Sequence, residues 1–102
     1  MKNILLSADG PVRVYSVPDE VATDICEWAD RFRDWLHTAP EAAPHRFQTK
    51  YGVGLRFTEA DFIAYLNTVA FPAQRSCLVE ELGFINPRNA PEPICSYEWY
   101  NF

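Results

Sequence analysis

Apolar and polar positions follow two different periods along this chain, and the changes of period mark its elements. Asn3–Leu6 and Val12–Val17 are short runs rich in Ile, Leu, Val and Tyr, and they read as strands. Between them lies Ser7-Ala8-Asp9-Gly10-Pro11, and Asp9-Gly10 is a turn dipeptide in which glycine accepts a positive φ. A hairpin is predicted, with Pro11 at the start of the second strand, where a missing N–H matters least.

From Pro18 the period becomes helical. Val21, Ile25, Trp28, Phe32 and Trp35/Leu36 are spaced by fours and threes, which places them on one face of a helix running to Thr38. Pro18, Asp19 and Glu20 suit its first turn, the acids because the N-terminal end of the helix dipole is positive. Glu20, Asp24, Glu27, Arg31 and Asp34 repeat with similar steps on another face. Ala39-Pro40 ends the helix, and Pro40–Pro44 forms a loop. His45–Phe57 contains an extended segment in which Gly52 and Gly54 mark a bend or bulge. Thr58-Glu59-Ala60-Asp61 matches the capping pattern that opens a helix, predicted over Glu59 to about Val69 with Phe62, Ile63, Leu66 and Val69 inward. Pro72 stops it. Ser76–Leu82 reads as a short third helix closed by Gly83 as a left-handed cap, with a strand as the alternative. The tail, Ile94 to Phe102, is aromatic and partly alternating, which predicts a final strand. The order of elements predicts one α+β domain over residues 1–102, a small, mostly antiparallel sheet with two or three helices on one face.

Composition narrows the function classes. The chain has 14 acidic and 9 basic residues and a net charge of −5. Phosphate neutralisation needs a basic patch, and His45, Arg46, Lys50 and Arg56 are too sparse to form one, so nucleic acid is not an expected partner. The acidic balance favours a basic protein. No apolar run is long enough to span a membrane or to serve as a signal peptide. The three cysteines, Cys26, Cys77 and Cys95, are odd in number and far apart. They read as reduced thiols, two or three of them packed as small apolar residues, in a cytoplasmic protein.

No motif carries chemistry. A cysteine nucleophile needs a base beside it, and neither His37 nor His45 stands in a local signature with a thiol. No cysteine or histidine pair has the short spacing of a structural zinc site. The carboxylate pairs Asp19/Glu20 and Glu80/Glu81 fall at helix ends or on solvated faces. The expectation is a non-enzymatic protein with no catalytic, cofactor-binding or metal-binding residues. Candidate partner-binding residues are Glu20, Asp24, Glu27 and Asp34 on the acidic face, with Tyr97 and Trp99 as aromatic anchors.

Three stretches carry a resemblance. Leu66-Asn67-Thr68-Val69-Ala70-Phe71-Pro72 runs into Ser76-Cys77-Leu78-Val79-Glu80-Glu81-Leu82-Gly83, and a proline-rich loop leads to Tyr97-Glu98-Trp99-Tyr100-Asn101-Phe102. Over about its last 45 residues the chain resembles a group of small bacterial proteins that includes immunity proteins of contact-dependent inhibition and related polymorphic toxin systems. The shared motifs are packing and turn motifs, and no binding residue is carried over from them. The resemblance implies a small cytoplasmic protein that binds a cognate toxin domain, often a nuclease with a basic cleft, and acts as a monomer or weak homodimer. The competing expectation is a small homodimeric accessory or regulatory protein that pairs through the edge of its C-terminal strand.

Overall fold

A computed structural model describes residues 1–102. Strands β1 (Lys2–Ser7) and β2 (Val12–Val17) form the expected hairpin, with Leu5 opposite Val14 and Leu6 opposite Arg13. At its turn Asp9, not Gly10, takes the left-handed backbone, at φ 55°. An aspartate tolerates this conformation, and its carboxylate accepts a 2.9 Å bond from Asn101 Nδ2 while its N–H donates to Asn101 Oδ1.

The helix predicted from Pro18 to Thr38 is two helices, α1 (Asp19–Thr23) and α2 (Ile25–Thr38). Asp24 separates them at φ −138°, ψ 60°. The apolar face continues through the break, because Val21, Ile25, Ala29, Phe32 and Leu36 are all buried. Arg46 donates to the Leu36 and Ala39 carbonyls and so satisfies the C-terminal end of α2. The extended segment from His45 resolves into a separate hairpin of β3 (Arg46–Thr49) and β4 (Gly52–Leu55). At Gly54 a Cβ would lie 2.4 Å from the tip of the exposed Phe47 ring, so a larger residue there would displace that ring.

Helix α3 (Glu59–Tyr65) starts where the capping pattern places it, and the Thr58 N–H donates to Asp61 Oδ2 at 2.8 Å. Its last turn, Leu66–Ala70, widens to a π-turn that the Phe71 N–H closes on the Leu66 carbonyl at 2.7 Å. The wider turn shifts the facing by one position. Phe62, Ile63 and Leu66 are buried as predicted, but Val69 is turned outward.

Cys77–Gly83 is a strand, β5, which corrects the preferred helical reading of Ser76–Leu82. Leucine and glutamate favour a helix locally. The deciding term is tertiary: β2 is buried and pairs with β1 on one side only, so its other row of N–H and C=O groups needs a partner. β5 supplies it antiparallel, with register shifts between Val12 and Arg13 and between Val14 and Tyr15. Gly83, at φ 77°, ends a strand and not a helix. The tail strand β6 (Trp99–Asn101) pairs parallel to β1, completing a sheet of order β5-β2-β1-β6. No helix is long and apolar enough to cross a membrane.

Both faces of this sheet are covered. Ile4, Leu6, Tyr15 and Val17 pack against the three helices around Phe32, which meets Phe57, Phe62 and Tyr65 with ring centroids 5.4 Å apart. On the other face Leu5, Val12 and Val14 pack against Leu82, Ile94 and Tyr97. The chain reaches this face by crossing from β5 at one edge to β6 at the other.

Candidate protein interface

The acidic helix residues are where the sequence places them. Glu20, Asp24, Glu27 and Asp34 are all exposed. Glu20, Asp24 and Asp34 have no ion-pair partner, whereas Glu27 accepts from Arg31 Nε at 3.0 Å. Arg31 stands between Glu27 and Asp34 on the same stripe of α2, so the row is acidic but interrupted. From Asp19 to Asp34 six acids face two arginines, Arg31 and Arg33. The Arg33 guanidinium donates to the Tyr100 hydroxyl at 2.8 Å and ion-pairs with Asp30 at 3.7 Å, so both arginines on this side have a carboxylate partner.

The aromatic anchors do not join that surface. Trp99 pairs with Leu5, whose side chain is on the sheet face away from the helices, and its indole N–H donates to Ser7 Oγ at 3.1 Å. Tyr97 is packed on the same face, against Leu5, Val12 and Val14. The sheet therefore separates Tyr97 and Trp99 from Glu20, Asp24, Glu27 and Asp34. Tyr100 and Phe102 are turned to the helical side, where the Phe102 ring lies 5.1 Å from Phe62 and 6.0 Å from Phe32. Tyr97, Tyr100 and Phe102 are thus half-buried against the core on the two faces, and Trp99 stays 39% exposed.

The cysteines correct another expectation. Cys26 and Cys77 are exposed and Cys95 is half-buried, so none is packed as a core residue. Cys26 falls one position off the buried face of α2, and Cys77 stands on the outer strand of the sheet. The Glu92 carboxylate, as hydrogen-bond acceptor, holds the Cys95 thiol above its ordinary value and disfavours the thiolate. The His45 ring nitrogen is bonded to the Arg56 carbonyl at 3.0 Å and serves no thiol. No three His, Cys, Asp or Glu side chains gather closely enough to hold a metal ion.

Two features were not visible in the sequence. Arg13, on the helix-facing side of β2, ion-pairs with Glu59 at the start of α3 and with Glu81 on β5. Glu59 is only 3% exposed despite lying in the first turn of a helix. The second feature is a cleft of about 560 Å³ where the crossing chain leaves β5, lined by Glu80, Leu82, Ile85, Asn86, Asn89 and Ile94 among others. Beside it the outer edge of β5 is unpaired, and Leu78 and Val79 are each 52% exposed. Only the strand alternative for Ser76–Leu82 could have signalled this edge. The cleft needs the fold, because Glu80 and Ile94 meet through the crossing. Compared with protein-family models, curated proteins and solved structures, the chain matches none.

Proposed function

We propose that this chain is a non-catalytic immunity protein that captures a basic toxin domain, with the outer face of α1 and α2 as the contact. The observation that carries the reading is the set of unpaired, exposed carboxylates at Glu20, Asp24 and Asp34 along α1 and α2. Such a row raises the encounter rate with a cationic cleft and occupies it as phosphate would. Glu27 extends the row once Arg31 exchanges it for the partner. The inward-packed faces of α1 and α2 place the backbone of these carboxylates without any contribution from the ligand, so binding orders little of this backbone. Tyr97 and Trp99 act as fold residues in this reading, since the sheet sets them on the opposite side.

The competing reading, an accessory protein that dimerises through its C-terminal strand, has less to work with. β6 offers three residues of edge, and Tyr100 and Phe102 are engaged with the core.

The test is co-purification of the tagged chain with the product of the open reading frame immediately upstream, followed by association kinetics at two salt concentrations. Glu27→Lys with Asp34→Lys is expected to slow association by about tenfold at low salt, with little effect on dissociation. An unchanged association rate in a complex that does form removes the α1–α2 face. No complex, together with a stable dimer by sedimentation, returns the weight to the accessory reading.

A further inference from the structure

We propose that the outer edge of β5 and the adjoining cleft form a second binding site, which takes an extended peptide segment carrying an arginine or lysine from a partner protein. This site lies apart from the α1–α2 face and stands whether or not that face binds a toxin.

The backbone argument comes first. β5 spans Cys77–Gly83, about 23 Å of extended chain at roughly 3.3 Å per residue, and it ends the sheet. Its unpaired N–H and C=O groups are a template for one more strand. Proteins protect such edges with proline, charged side chains, bulges, a short length or a covering loop. β5 carries Glu80, Glu81 and two register shifts against β2, and the two carboxylates disfavour another acidic strand but not a cationic one. The strand has neither proline nor lysine, and Leu78 and Val79 stand half-exposed along it. Just beyond, Phe84 is 85% exposed and Ile85 is also exposed. Ile85 also lines the cleft.

The side-chain chemistry then selects the ligand. The cleft wall is apolar at Leu82, Ile85 and Ile94, and polar at Glu80, Asn86 and Asn89. Glu80 has no ion-pair partner, unlike Glu81, which Arg13 holds. An apolar wall with one free carboxylate and the Asn89 amide, the Asn86 oxygen already accepting from the Arg88 N–H, matches a side chain with a methylene stem and a cationic head. Added strands gain affinity from main-chain bonds and specificity from pockets for alternate side chains. Here the pocket specifies a cation.

A second copy of this chain is the poorer occupant. Pairing two β5 edges would bring together two chains of charge −5 each and set Glu80 and Glu81 of one strand within about 5 Å of the other strand. No cationic side chain on β5 offsets them.

The test is an amide-shift titration of the full isotope-labelled chain with a blocked peptide of about nine alternating threonine and valine residues and one central arginine. A second peptide carries citrulline in place of the arginine, which keeps the length and shape and removes the charge. The expected shifts fall on Cys77–Gly83 and on the cleft residues 85–94, and the citrulline peptide binds about tenfold more weakly. Glu80→Gln, an exposed change that leaves the fold intact, is expected to bind both peptides alike. Equal affinity of the wild-type chain for the two peptides overturns the proposal. So do shifts confined to α1 and α2, or no shifts at about 1 mM peptide. A dimer in the absence of peptide, with β5 at its interface, assigns the edge to a second copy and also overturns it.

Discussion

Replacing Arg13 by methionine removes the one cation that reaches Glu59 and leaves the length of the side chain nearly unchanged. Glu59 is 3% exposed, so its carboxylate cannot turn to water, while Glu81 is 47% exposed and can. The loss at Glu81 is therefore that of a surface pair, under about 1 kcal/mol. The loss at Glu59 is that of a broken buried pair, about 3–5 kcal/mol. The first turn of α3 offsets part of this through the helix dipole, by roughly 0.3–1 kcal/mol. The expected net destabilisation is about 2–5 kcal/mol, which in a domain of this size lowers Tm by roughly 10–40 °C. Urea unfolding followed by circular dichroism at neutral pH measures it. The decisive comparison is the cycle with Glu59→Gln. The double variant is expected to regain at least about 1.5 kcal/mol over Arg13→Met alone, because the stranded charge is gone. A double variant no more stable than Arg13→Met, or an Arg13→Met loss below about 1 kcal/mol, refutes the reasoning and shows that Glu59 is compensated elsewhere.

Two further outcomes test the packing. Phe102→Ala is expected to cost about 2–4 kcal/mol in urea unfolding, because the ring contacts Phe32, Phe57, Phe62 and Tyr100; a loss within about 0.5 kcal/mol would make the tail a surface feature. Burial raises the Tyr15 and Tyr65 phenols above their ordinary value, with the Glu59 charge a second cause at Tyr15. In the unfolded chain both ionise near pH 10 and in the folded chain only above it, so stability is complete below about pH 10 and falls as pH rises past it. Tyr15→Phe with Tyr65→Phe is expected to flatten the fall in urea midpoint between about pH 9 and 11; an unchanged slope refutes it.

The acidic face was legible because exposed helix positions are local properties. Glu20, Asp24, Glu27 and Asp34 follow from the same three-and-four spacing that buries Val21, Ile25 and Phe32. The aromatic anchors were not legible as surface or core, because a strand sends alternate side chains to opposite faces and the sequence does not say which face is covered. Tyr97 and Trp99 fell on one side of the sheet, Tyr100 and Phe102 on the other.

The β1–β2 hairpin, the amphipathic run of α1 and α2, the start of α3 and the α+β class can be read from residue order, since each rests on periodicity or a cap within a few residues. The remaining features depend on contacts between distant parts of the chain. Leu78-Val79-Glu80-Glu81 became a strand because the open side of β2 needed hydrogen-bond partners, an energy that no local propensity contains. Glu59 became buried because Arg13, 46 positions away, came to meet it. The cleft beside Glu80 exists because the chain crosses the sheet from β5 to β6, bringing Ile94 back to Leu82. These are long-range pairings, and their physical cause lies in which surfaces the fold leaves uncovered.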